Sequence, residues 1–540
     1  MEKVNTIGVM LDCSRNAVMS LAGLKRFVDV LAKMGYNRLM LYTEDTYEVE
    51  GEPFFGYMRG RYTKKELKEI DTYALSKGIE LVPCIQTLAH LNQIFEWETY
   101  QKIKDVNDIL LVEEERTYQL IDNMLKACVD SFTTKNVHIG MDEAHLLGLG
   151  KYLDKHGYTN RHELFLKHLN KVCEMAVGYG LKPMIWSDMF FRLAFGDYYV
   201  QDGKVPQEVI EKVPKCVELV YWDYYSQTQE FYESMIEKHL AFDNPVSFAG
   251  GCWKWGSLQP RNKRSIIRSE LAIRACNKHN VKDVITTLWG DDGNECPVYA
   301  TLPALFYFAE EAKGNYDLAA IKEKFYQLFE EHFDDFMQLD FLFPESFDKD
   351  FYDYNGLKAL FYNDPFVGRY DSSVRGDGTE GKQYALFAEQ MKQAKNRSKN
   401  YAYIFEHYQN ICEFMSIKYD LGYRAREAYQ KGRKDELKVI VKDFKKAEKK
   451  LQTVCRSFEK MWMMDNKAFG YEVIELWLGG LLKRLESCRK RIQAYLQGEI
   501  AQIEELEVEL LDCYGQEKVR KILPDCGARN KAATVNRLVW

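Results

Sequence analysis

At 540 residues the chain is too long for one ordinary core and is expected to build two or three. Its 46% hydrophobic and 29% charged content is that of a globular chain, without the run of about eighteen apolar residues that would span a membrane. A net charge of −7 with no large basic block disfavours nucleic acid as a partner. Thirteen cysteines, an odd number without CxxC or metal-ligand spacing, are expected to be reduced thiols. That reading predicts a cytoplasmic location, no disulfide framework, no metal centre and no cofactor. Met1 to Thr6 leads straight into an apolar strand and does not read as a signal peptide.

Up to about residue 310, short apolar runs alternate with amphipathic helical stretches. The predicted strands are Ile7–Leu11, Arg38–Tyr42, Glu80–Ile85, Val137–Gly140, Pro183–Trp186, Glu218–Tyr221, Ser247–Ala249 and Val284–Leu288. The predicted helices between them include Leu21–Met34, Thr63–Lys77, Arg116–Phe132, Asn160–Tyr179 and Arg264–His279. Eight such units predict an α/β fold, a closed (β/α)₈ TIM barrel. The competing open, doubly wound sheet lacks the Gly-rich loop expected after its first strand.

Beyond that point the pattern turns helical. Leu318–Phe333 reads as one helix, the aromatic and acidic stretch Phe341–Asp353 has no assigned form, and Arg369–Lys382 reads as a loop or linker. Helices are then predicted over Gln383–Lys395, Ala402–Lys431, Asp435–Met463, Ile474–Gln497 and Ile500–Leu511. Two domains follow: a catalytic barrel over 1–312 and a mostly α-helical C-terminal domain over 313–540. Its charge runs suit solvated helix faces, and it is expected to brace the barrel or form an oligomer contact such as a homodimer.

In a TIM barrel, chemistry sits on the loops after the strands. Those positions hold Asp12 and Arg15, then Glu44-Asp45, then Gln86 and His90, then Asp142-Glu143. The later strands end in Trp186 and Asp188, in Trp222, Asp223, Tyr224 and Tyr225, in Trp253 and Trp255, and in Trp289, Asp291, Asp292 and Glu295. Adjacent carboxylates sharing one pocket push their pKa values apart, giving an acid beside an anion. Tryptophans at four strand ends suit a pyranose, whose C–H face stacks on indole while its hydroxyls bond to polar groups. The residues alone leave open a glycosidase with a carboxylate nucleophile, Asp291 or Asp223, and a sugar-binding barrel without turnover.

The run His138-Ile-Gly-Met-Asp-Glu143 resembles the H-x-G-x-D-E signature of glycoside hydrolase family 20, the β-N-acetylhexosaminidases. Trp289-Gly-Asp291 looks like that family's eighth-strand W-x-E/D element, and Arg15 stands where the family keeps a sugar-binding arginine. The resemblance covers roughly residues 5 to 310, and the helical tail is similar to the intracellular subgroup that includes hexosaminidase D. It implies an exo-acting, retaining hydrolase of terminal β-linked GlcNAc or GalNAc, working by substrate assistance, to which the usual two-carboxylate scheme does not apply.

The implied roles follow residue by residue. Glu143 is the general acid and then the base, and Asp142 holds the acetamido group. Tyr225 or Tyr224 steadies the acetamido oxygen, and Trp186, Trp222 and Trp289 box its methyl. Arg15 and Asp291 take the outer hydroxyls, while an Asp45–His90–Glu143 relay tunes the acid. His138 either contacts substrate or supports the site. Trp253 and Trp255 match no single family position: they line the aglycone side, or one of them packs in the barrel wall. The second-strand pair is Glu-Asp where the family has Asp-Asp, so which member meets His90 stays open. So do the preference between GlcNAc and GalNAc and the natural aglycone.

Overall fold

The computed structural model describes residues 4–200, 202–342, 356–374, 376–511 and 528–534. Eight parallel strands close into a barrel in chain order: β1 Thr6–Asp12, β2 Arg38–Glu44, β3 Glu80–Ile85, β4 Asn136–His138, β5 Lys182–Trp186, β6 Glu218–Trp222, β7 Val246–Gly251 and β8 Asp283–Leu288. Closure comes from β1 pairing with β8, with Thr6 beside Asp283 and Leu11 beside Leu288. The strands are buried on both faces, which is why they read as apolar runs rather than as alternating ones. All eight predicted strands are present, within two or three residues at their ends. The exception of consequence is β4, which stops at His138 because Gly140 (φ +73°) and Met141 (φ +71°) turn the chain.

Local rules set the helices. Leu21–Met34 starts where the Ser20 hydroxyl accepts from the Gly23 amide and ends on Gly35 at φ +88°. Lys64–Ser76 opens on a reciprocal capping box between Thr63 and Glu66.

The C-terminal region is helical as expected, with three corrections. Leu318–Phe329 ends on Glu330 in the left-handed region (φ +55°), and a separate helix, Phe333–Met337, follows. The break aims the Glu331 carboxylate at the Lys399 and Asn400 amides, which donate to it at 2.9 and 2.7 Å. Ala402–Lys431 is two helices, Ala402–Lys418 and Leu421–Gln430. The step between them seats Gly422 on the Pro365 carbonyl, where a Cβ would fall 2.5 Å from the oxygen. Of Ile500–Leu511 only Glu504–Glu507 is helical. Thr379–Arg397 begins inside the expected linker, and Lys434–Asp465 and Tyr471–Gln497 run slightly longer than predicted. From residue 343 on, the stretch Phe341–Asp353 lies outside the described residues.

One continuous hydrophobic core runs from the barrel into these helices. The turn after Asp465 sits on the first barrel loops: the Ser20 amide donates to the Asp465 carbonyl at 2.9 Å, and the Lys467 amide to Val18 at 2.8 Å. Among the described residues, no helix is long and apolar enough to cross a membrane.

Candidate active site

The strand ends converge on an open-mouthed cavity of about 460 Å³ at the barrel's C-terminal end. Its lining includes Arg15, His90, Asp142, Glu143, Trp186, Trp222, Tyr224, Tyr225, Trp289 and Asp291, all singled out from the sequence, together with Trp255.

The carboxylate pair is set by the turn after β4. Gly140 presents its bare Cα to Gln86, where a Cβ would fall 2.1 Å from Oε1. Gln86 Oε1 accepts from the Met141 amide at 3.0 Å, and Gln86 Nε2 donates to Asp142 Oδ1 at 2.7 Å. One glutamine thus fixes both the turn and the aspartate. Glu143 follows at φ +53°, its amide donating to Asp188 Oδ2 at 3.0 Å. Non-glycine residues in the left-handed region are costly, and here Asn16, Glu44, His90, Met141 and Glu143 adopt it on the first four strand ends.

His90 stands between the two acids. Its Nε2 lies 3.3 Å from Asp142 Oδ2 and 3.8 Å from Glu143 Oε2, and its Nδ1 lies 3.8 Å from Asp108 Oδ2. Burial alone would lower the imidazole pKa, but the Asp142 charge outweighs it and holds the ring protonated well above its usual range. Burial would likewise push the Asp142 carboxyl up; the His90 imidazolium and the Gln86 hydrogen bond hold it ionised instead. Arg192 approaches Glu143 from the other side at 3.5 Å while its Nε donates to Asp188 at 3.0 Å. Burial and the charge of Asp142 push the Asp188 carboxyl up.

Arg15 closes one end of the cavity. It pairs with Asp12 at 3.2 Å, Glu44 at 3.4 Å and Asp291 at 3.5 Å. Its guanidinium lies 4.8 Å from the Tyr42 ring centre and 4.9 Å from that of Trp289. Burial pushes the Glu44 carboxyl up to about 6, against the opposing pull of Arg15.

Aromatic rings form the walls. The Trp289 indole donates to the Tyr224 hydroxyl at 2.9 Å, and that hydroxyl also bonds to Thr287. Tyr224 is therefore committed within the wall, whereas Tyr225 is 43% exposed at the mouth. The indole N–H groups of Trp186 and Trp222 are buried without a protein hydrogen-bond partner.

Three expected site residues lie outside this lining. Asp45 turns away to Arg59, at 3.1 Å, and Glu44 takes the place facing Arg15. The relay drawn through Asp45 is thereby corrected: on the far side of His90 stands Asp108. His138 is fully buried, its Nδ1 accepting from the Gly140 amide at 3.1 Å and its ring 4.3 Å from Trp186. Burial lowers it to about 3, so it is a neutral support under the turn. Trp253 stacks behind Trp255, with ring centres 4.2 Å apart, and it is Trp255 that lines the cavity. Asp223 is buried and accepts from the Tyr225 and Ser226 amides and from the Tyr221 hydroxyl, so it offers no nucleophile to the cavity. Sequence reasoning missed Asp108 and Arg192. The i, i+4 spacing of Asp188 and Arg192 on Asp188–Phe195 was the signal for the second. Among the described residues no group of His, Cys, Asp or Glu side chains could hold a metal ion.

The family model "Glycosyl hydrolase family 20, catalytic domain" matches residues 7–230, and "Glycoside Hydrolase 20C C-terminal domain" matches 334–523. Similar curated proteins include hexosaminidase D of Homo sapiens, 25% identical over 211 residues, which covers 37% of this chain and 41% of that one. Hexosaminidase D of Bos taurus is 24% identical over 213 residues, covering 37% and 58%. The chain thus spans well under two thirds of the relatives it matches. Among solved structures, a β-N-acetylhexosaminidase from Bacteroides fragilis aligns with a TM-score of 0.47 at 20% identity, covering 60% of this chain and 70% of that one. The catalytic-domain model lies on the strand ends that carry the carboxylate pair, and the C-terminal model on the helices packed against them; the chain belongs to glycoside hydrolase family 20.

Proposed function

We propose that this chain is an exo-acting, retaining β-N-acetylhexosaminidase that removes terminal β-linked GlcNAc or GalNAc with the substrate's acetamido group as nucleophile. The observation that carries the reading is Asp142 and Glu143 bracketing His90 within an indole-walled cavity. The acetamido carbonyl oxygen attacks C1 as the C1–O glycosidic bond breaks, and Glu143 gives its proton to the leaving oxygen. The product on the enzyme is an oxazolinium ion. Asp142, kept ionised by His90, accepts the acetamido N–H and faces the developing positive charge. Glu143, now a carboxylate, takes a proton from water, which attacks C1 and restores the acetamido group with net retention. Arg15 and Asp291 bind the outer hydroxyls and close the non-reducing end.

Tyr225 is the proposed partner of the acetamido oxygen, because the Tyr224 hydroxyl is already held by Trp289 and Thr287. Tyr225→Phe should lower kcat by about 10²–10³-fold, the loss expected for one transition-state hydrogen bond. Tyr224→Phe should act through the wall, with a smaller kcat change and a lower melting temperature. Equal kcat losses in the two variants would remove the assignment. We further propose the barrel to be 1–312 and the helical domain 313–540, and a cytoplasmic location, supported by described cysteines that are free and mostly buried.

The deciding assay is p-nitrophenol release from the β-N-acetylglucosaminide, the β-N-acetylgalactosaminide and the β-glucoside. Cleavage of the acetamido sugars, with the glucoside at least about 10³-fold slower, is expected if the nucleophile resides in the substrate. Comparable rates on the glucoside would point to a carboxylate nucleophile, and binding without cleavage to a sugar-binding barrel.

A further inference from the structure

We infer that Lys358, from the helical region, is a positioning residue for the sugar-binding carboxylate Asp291. The loop after β8 runs through Asp292 (φ +61°), Gly293 (φ +107°) and Asn294 (φ +55°), three left-handed residues in succession, two of them with a Cβ. Such a loop holds one shape only when its surroundings enforce it. Some of the enforcing groups belong to the barrel, where Lys254 donates to the Asn294 side chain and Asn16 to the Gly293 carbonyl, and the others come from the helical region. Lys358, on the helix Gly356–Tyr362, is fully buried, with Nζ 2.8 Å from Asp292 Oδ2 and 2.5 Å from Glu295 Oε2. The same ammonium donates to the Asp292 carbonyl at 2.7 Å. The Tyr362 hydroxyl donates to the other oxygen of Glu295. Trp477, on Tyr471–Gln497, packs its six-membered ring against Gly293, where a Cβ would fall 2.5 Å from two of the ring carbons.

Asp291 is the residue immediately before this clamp. Its carbonyl accepts from the Gly256 amide at 2.9 Å, and its carboxylate reaches Arg15 at 3.5 Å. Two buried carboxylates on one short loop repel each other and would force it open; the ammonium between them turns that repulsion into a fixed geometry. Through the Asp292 backbone, the helical region thereby sets where the Asp291 carboxylate stands. The sugar site is incomplete without that region. Because Asp291 contacts an outer hydroxyl rather than the reacting atoms, loss of the clamp acts on substrate binding more than on the chemical step.

This inference deepens the proposed function and rests on it for the substrate, but not for the loop. The test is the double variant Lys358→Met/Glu295→Gln, which leaves the net charge of the cluster unchanged and strands one carboxylate, Asp292, rather than two. Lys358→Met alone serves as the harsher comparison. Amide exchange of residues 290–296 should speed up about tenfold or more while β1 to β7 keep their protection. On the p-nitrophenyl β-N-acetylglucosaminide, KM should rise about tenfold with kcat within about twofold, the split expected for lost ground-state binding. Unchanged loop exchange in the folded double variant overturns the inference, and so does a kcat loss at constant KM. If the wild-type chain cleaves no acetamido glycoside, the proposed function fails. Loop exchange and the affinity for N-acetylglucosamine then decide the positioning role by themselves.

Discussion

Glu143→Gln should lower kcat/KM on the p-nitrophenyl β-N-acetylglucosaminide by about 10³-fold or more. In the proposed mechanism the residue serves twice, as acid for the leaving oxygen and as base for water, and either role alone contributes about 10²–10⁴-fold. Gln is isosteric and keeps the backbone where it is, since the Glu143 amide is held by Asp188 rather than by its own side chain. Affinity for N-acetylglucosamine should therefore stay within about threefold of wild type. The loss should deepen as the leaving group becomes more basic, because a poor leaving group depends on the proton it receives. Retention of a tenth of the activity on an alkyl glycoside would take the general acid away from Glu143.

The second large effect is on stability. Gly140→Ala would place a Cβ 2.1 Å from Gln86 Oε1 and 2.7 Å from the Ile85 carbonyl, at φ +73°. Gln86 cannot retreat without releasing both the Met141 amide and the Asp142 carboxylate. A loss of about 3–5 kcal/mol is expected, combining backbone strain with a broken buried hydrogen-bond network. Gly78→Ala is the matched control, since it has φ +75° and nothing within 4 Å of the added atom. It should cost only about 1 kcal/mol, the price of the dihedral alone. Urea unfolding of the two variants checks the difference. Equal losses would mean that the Gln86 contact has no bearing on stability.

Much of this site was legible because parallel barrel strands are apolar throughout, so a polar residue after each run marks its end. That reasoning located His90, Asp142, Glu143 and the tryptophans of β5, β6 and β8. It failed where the backbone departs from the regular repeat. A register shift between Tyr42 and Glu44 sends Glu44 toward Arg15 and Asp45 toward Arg59, which strict alternation cannot foresee. Trp253 and Trp255 lie beyond the last residue of β7, where no period fixes which ring faces the cavity. Asp108 reaches His90 across a loop of no set spacing. Lys358, a single lysine among aromatic residues, carries no mark of burial in the sequence. The helix breaks at Glu330 and at Tyr419-Asp420 serve tertiary contacts, and helical periodicity continues through both.

The barrel closes on a seam between residues about 280 positions apart in the chain, with Thr6 to Leu11 against Asp283 to Leu288. The helical tail holds both sides of it: Lys467 and Asp465 grip the loops around β1, while Lys358 grips the loop after β8. This surface is a composite of the first and last thirds of the barrel, and it is assembled only when the seam is shut. A nascent chain must emerge past Leu288 before the barrel can close, and loop closure over that separation is slow and entropically costly. A tail docked on both sides of the seam draws the equilibrium toward the closed ring, as a ligand that binds only the native form would. The helical tail thus acts as a latch across the seam that it spans.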